Sequence, residues 1–263
     1  MPAPALRPRS ATEIVDAAFQ ILRAHYAQFV MCSALAYIPF LILRLAVIGD
    51  PMRFLGRADP LQAQNGLYAS TIIASLAGWL TFTLMSAVLL VCASDAYLGE
   101  EVDVGSAVRR ALPRVLSVMV AAVLRYVAMA AALLAFVFPV FYVVARFFAV
   151  TPAIVLENAG VVQAFRRSGE LSRRRKWHIL NTLGLVAIIY WVVVVGLALV
   201  AALIGSFIVQ TVITSVATVL VFPVVAITEA LLYYDARIQS EGLDIELMTD
   251  ALTTPGGAGS SAR

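Results

Sequence analysis

From residue 27 onward the chain alternates between long apolar runs and short polar connections. Six runs, near 27–48, 68–97, 115–137, 139–157, 178–203 and 207–234, hold roughly twenty predominantly apolar residues each, enough for a helix to cross a ~30 Å hydrocarbon layer. They predict six spanning helices. Barrel strands run only ~10 residues and alternate their faces, which these runs do not do. Only Pro139, in "AFVFPVFYVV", divides the third and fourth runs. Two full spans and a kinked or re-entrant piece are both open there. The fifth and sixth runs are divided by little more than "IGSF", and a five-helix count is the alternative. Ahead of the first run, "SATEIVDAAFQILRAHY" is too polar to span. Ser10 and Glu13 fit a capping box. Ile14, Ala18, Ile21 and Leu22 fall on one face, with Glu13, Asp16, Gln20 and Arg23 elsewhere. That pattern predicts an amphipathic helix lying in the membrane interface.

Composition turns these helices into a class. The chain is 62% hydrophobic and 13% charged over 263 residues, with a mean hydropathy of +0.91. A soluble core of this size cannot absorb that much apolar surface, so the chain reads as an all-α integral membrane protein. The opening "MPAPALRPRS" lacks the apolar core of a cleaved signal peptide, which leaves the first spanning helix to direct insertion. Cys32 and Cys92 lie in apolar segments and read as small hydrophobes. His25 and His178 are lone histidines, a poor basis for a metal site. No metal or cofactor is expected.

Charge placement sets the topology. Putting the N-terminus inside gives the cytoplasmic segments Arg7, Arg9 and Arg23, then Arg109, Arg110 and Arg114. The next cluster is Arg166, Arg167, Arg173, Arg174, Arg175 and Lys176, followed by Arg237 and Arg263. Only Arg53 and Arg57 fall outside, and Arg44, Arg125 and Arg146 lie within helices. The bias places both termini in the cytoplasm of a multi-pass inner-membrane protein.

The three cytoplasmic entries resemble one another. Each carries a small-then-apolar pair (Ala18-Phe19, Ala107-Val108, Ala164-Phe165), has Arg soon after, and feeds two apolar segments. Asp95, Glu157 and Glu229 close the returning helices. The pattern reads as three units of an interfacial amphipathic helix plus a helical hairpin, near 10–98, 99–157 and 158–240, within one membrane domain, 1–245. A small, polar tail, 246–263, reads as disordered. The preceding "SEGLDIELM" reads as a short helix and a docking point for a partner.

"RPRSATEIVDAAFQILRAHY", "TPAIVLENAGVVQAFRRSGELSRRRKWHIL" and "ALLYYDARIQSEGLDIELM" resemble the bacterial glycerophosphoryl diester phosphodiesterase membrane-domain family. The middle pattern falls on Pro152, Glu157, Gly160, Ala164, Arg167, Ser168 and Trp177. The resemblance implies a membrane module without the catalytic barrel found in some relatives, since a barrel needs about 250 residues of its own.

The candidate chemistry lies in charge. Arg44, Arg125 and Arg146 sit in apolar runs, where a charge at mid-bilayer costs ~2.5–3.5 kcal/mol or more. With Asp95, Glu157 and Glu229 as partners they form either a polar pathway or structural pairs. Arg166, Arg167, Arg173, Arg174, Arg175 and Lys176 form a site for anionic lipid headgroups, at about 1 kcal/mol per residue, or act only as a topology signal. No catalytic motif and no nucleic-acid motif accompanies them. The leading functional reading is a non-enzymatic accessory or organising module that contacts the bilayer's anionic lipids or a partner membrane protein. A transporter or channel-like permease is the alternative, and a lipid-headgroup enzyme the third.

Overall fold

The computed structural model describes residues 10–47, 60–173 and 175–241, and its regular elements are all helices. The tail 246–263, Arg174, Arg53 and Arg57 lie outside the described residues.

Helix α1 (Ala11–Ala24) begins with the expected capping box: Ser10 Oγ accepts from Glu13 N at 3.3 Å, and Glu13 Oε2 accepts from Ser10 N at 2.8 Å. Its inward face is Ile14, Val15, Ala18 and Leu22, so Val15 joins the predicted stripe while Ile21 flanks it. There follow α2 (Tyr26–Val47), α3 (Pro60–Leu98), α4 (Val104–Ala111), a single 3-10 turn over Leu112–Arg114, and α5 (Val115–Ala135). The chain continues through α6 (Val137–Arg146), α7 (Val150–Leu156), α8 (Val161–Leu171), α9 (Lys176–Ala202) and α10 (Phe207–Glu241). Six segments are long and apolar enough to span: Tyr26–Ala46, Gln64–Leu98, Val104–Ala135, Val137–Leu156, Lys176–Ala202 and Phe207–Ser240.

The spans sort into two shells. About half of the most apolar stretch is buried in Gln64–Leu98, Val137–Leu156 and Phe207–Ser240 (56%, 50% and 50%), against 28%, 22% and 11% in the other three. The second member of each successive pair is therefore the inner one. Outer α9 exposes Ile188, Trp191, Val192 and Leu199, the side chains a lipid-facing helix needs. The short amphipathic helices pack across the pairs: α4 on α3, α8 on α7, and α1 on α9 and α10. Ala18, Ala107 and Ala164, the small residues of the three entries, are all fully buried, which lets each short helix approach closely.

Pro139 does not break the fourth span. The backbone leaves the helix at Phe136 (φ 177, ψ 167), and Pro139 sits in the first turn of α6, where its missing N–H has no intrahelical acceptor to lose. The break within this span lies instead at Phe147–Ala149, between α6 and α7. Ser168, from α8, closes both sides of it: its Oγ donates to the Arg146 carbonyl at 2.8 Å and accepts from Ala149 N at 3.0 Å.

Candidate functional site

One end of the bundle gathers the charge. Three inner-helix carboxylates stand there, each held by arginine. Asp95, near the end of α3 and 3% exposed at its side chain, bonds Arg110 of α4. Glu157, just past α7, accepts two bonds from Arg167 Nε at 3.1 and 3.3 Å and one from Nη2 at 2.9 Å. Tyr233 donates to the same carboxylate, and Arg237 Nε lies 3.5 Å away. Asp235 of α10 accepts from Arg175 at 3.2 Å and from Gln239 at 3.0 and 3.1 Å, with His178 Nε2 at 3.7 Å. The turn that presents Glu157 places Asn158 at φ 57, a left-handed conformation that asparagine tolerates.

Burial alone would raise the pKa of Glu157. The bonds from Arg167 and Tyr233 and the Arg237 charge outweigh it and hold the carboxyl below its ordinary value. Asp103 N-caps α4 by accepting from Ser106 N at 2.7 Å and Gly105 N at 3.3 Å, and those two bonds lower its pKa.

The arginine doublets divide between two sides. Arg110 and Arg167 turn inward to carboxylates, while their neighbours Arg109 and Arg166 are 80% and 83% exposed at the side chain. Arg166 meets only Glu170, one turn on, at 3.2 Å. Arg173 is exposed and Arg175 faces inward. Lys176 stands 4.1 Å from the Tyr142 ring centroid, at an apolar groove of about 800 Å³ between α6 and α9 lined by Phe138, Phe141, Trp177 and Leu180. Of the six residues read as a headgroup cluster, Arg167 and Arg175 are thus tied to inner carboxylates and Arg166 to the exposed Glu170. The buried side of α8 is Ala164, Ser168, Gly169 and Leu171, while the apolar Val162 is 84% exposed. Small residues win that face because Ser168 must reach the break in the fourth span.

The intramembrane charges behave differently from one another. Arg44 lies in the last turn of α2, half-buried. Arg146 ends α6 with its guanidinium against α8: a Cβ added at Gly169 would come within 2.9 Å of it. Asp95 and Glu157 are paired to Arg110 and Arg167 rather than to these intrahelical arginines. Among the described residues only Arg125 and Glu229 share a site, lining a partly open cavity of about 290 Å³ between α3, α5, α7 and α10. Glu229 therefore does not close its helix at the basic end; Asp235, six residues further along α10, occupies that position.

The second half of the chain is similar to a known family. Residues 120–240 match the membrane domain of glycerophosphoryl diester phosphodiesterase. No curated protein and no solved structure matches the chain. The glycerophosphodiesterase membrane-domain match takes in Arg125, the Glu157–Arg167 pair, Ser168, Glu229 and Asp235, and it is a match to the membrane domain alone. Sequence reasoning counted Arg237 only toward topology and did not place Tyr233 or Asp235 in the site, although all three lie in "ALLYYDARI". The available signal was depth: Asp235 lies nearer than Glu229 to the polar end of its helix.

Proposed function

We propose that this is a non-enzymatic inner-membrane module that holds anionic lipid at the cytoplasmic leaflet and organises other membrane components there. The observation that carries this reading is the split of the arginine doublets. Arg110, Arg167 and Arg175 are committed to Asp95, Glu157 and Asp235, while Arg109, Arg166 and Arg173 point out of the bundle from the same short segments. Charge that served only to set topology would not need to be sorted by direction. An outward basic rim beside lipid-facing helices attracts anionic headgroups, at about 1 kcal/mol per residue near the surface. The apolar groove beside Lys176 and Trp177 adds room for an acyl chain under that rim. The lysine and arginine bias supports a cytoplasmic location for this end. The packing of α4, α8 and α1 each on a preceding or closing helix pair supports the three-unit reading.

The test is lipid retention. Protein purified into mixed nanodiscs of phosphatidylglycerol and phosphatidylcholine is released for native mass spectrometry. Several phosphatidylglycerol molecules retained in preference to phosphatidylcholine, and shed at high salt, is the expected result. Equal retention of the two lipids overturns the reading.

A further inference from the structure

Arg125 is the middle residue of the 21-residue α5, about 15 Å from either end at the helical rise. Snorkelling from that depth is strained, and a lone charge there is costly. Glu229 lines the same cavity, yet among the described residues no ion pair within 4.0 Å joins the two. At the basic end every inner carboxylate is closed onto an arginine; here two opposite charges keep space between them. That space holds about 290 Å³, room for roughly ten water-sized groups at ~30 Å³ each.

The remaining lining is chemically specific. Trp79, Phe82 and Phe222 supply aromatic faces, and Thr151 of α7 adds a hydroxyl. The Thr83 hydroxyl is already spent on the Trp79 carbonyl at 2.8 Å. A guanidinium binds an oxyanion through parallel N–H donors. A carboxylate beside aromatic faces suits an ammonium group, by charge and by cation–π attraction. We propose that the cavity is a binding site for a small zwitterion, its oxyanion on Arg125 and its ammonium on Glu229. The volume selects a headgroup-sized molecule and excludes a whole lipid. The same chemistry can come from a phospholipid headgroup entering between helices or from a free zwitterion. The inference does not rest on lipid docking at the basic rim, which uses other residues.

The experiment uses the full chain in phosphatidylglycerol nanodiscs, titrated with phosphoethanolamine and read by thermal unfolding. A saturable rise of roughly 5 °C is expected if the free zwitterion is the ligand. If the headgroup of a lipid is the ligand, the rise appears when phosphatidylethanolamine replaces part of the phosphatidylglycerol, and added phosphoethanolamine then does nothing more. Arg125→Gln and Glu229→Gln are expected to abolish the rise in either arm. Ala122→Leu keeps both charges and fills the cavity, so it decides the matter if a charge variant does not fold: it is expected to abolish the rise as well. Arg166→Gln and Arg173→Gln leave it unchanged. The proposal is overturned if neither arm shifts the wild type, if inorganic phosphate or ethanolamine alone gives the same rise, or if Ala122→Leu retains it.

Discussion

The inward and outward sides of the basic end use the same residue type for opposite purposes. On the inward side Arg167 is one-quarter exposed and makes three bonds to Glu157, which Tyr233 also bonds. On the outward side Arg166, its chain neighbour, is 83% exposed and meets one exposed glutamate. One residue of helical rotation separates a side chain fixed in a polar network from one left to the solvent and the lipid surface. The difference teaches that arginines in a basic cluster are not interchangeable: geometry divides them into those that hold the helices together and those left exposed at the rim, where we propose they meet anionic lipid.

The largest expected effect tests the inward half. Arg167→Ala leaves the mostly buried Glu157 carboxylate short of its principal donor, and a loss of about 2–3 kcal/mol is expected in denaturant unfolding of the purified protein. Arg166→Ala is expected to cost under ~0.5 kcal/mol, as exposed i,i+4 pairs do. Equal costs for the two would break the comparison. Next comes Ser168→Ala, which removes both bonds across the Phe147–Ala149 break and is expected to cost about 1–2 kcal/mol. Val193→Ala on outer α9 is the control, with a cost under ~1 kcal/mol. A smaller effect is expected in acid. Glu157 has its pKa held below the ordinary value by Arg167, Tyr233 and Arg237, so its contribution is complete above the unfolded glutamate value of about 4.3. That contribution is lost as pH falls through the lower folded value. Wild type and Glu157→Gln are therefore expected to converge in stability on acidification from pH 6; a constant gap would mean that the charge of Glu157 contributes nothing.

Orientation sharpens the same comparison without a stability change. With Cys32→Ala and Cys92→Ala as background, a single cysteine at Glu170 is expected to resist an impermeant thiol reagent in intact cells, and one at Arg57 to react. The reverse pattern would put the basic end outside.

The sequence made the spans, the capping box at Ser10 and the basic ends of the inner helices legible, because each is a local pattern of polarity with a fixed period or spacing. Asp95 and Glu157 were readable as carboxylates at helix ends for that reason. Their partners were not. Arg109 and Arg110 have identical composition, and an eight-residue helix offers too little periodicity to say which one turns inward. Glu229 was misplaced because α10 extends to Glu241, beyond the apolar run, which carries Asp235 rather than Glu229 to the polar boundary. Pro139 marked the division of the third and fourth runs, and the backbone leaves the helix three residues before it, at Phe136, between two candidate spans. The second break, inside the fourth span, depends on a hydroxyl from α8, a contact between segments that no local pattern encodes.

One measurement bears most directly on the division of the arginines. Full-length wild type, Arg166→Gln with Arg173→Gln, and Arg167→Gln are reconstituted into nanodiscs, and both phosphatidylglycerol retention and unfolding midpoint are recorded for each. The outward pair is expected to lose most of the anionic-lipid preference with an unchanged midpoint, and Arg167→Gln to lower the midpoint while keeping that preference. Loss of lipid preference with Arg167→Gln alone, or loss of stability with the outward pair, would contradict the division.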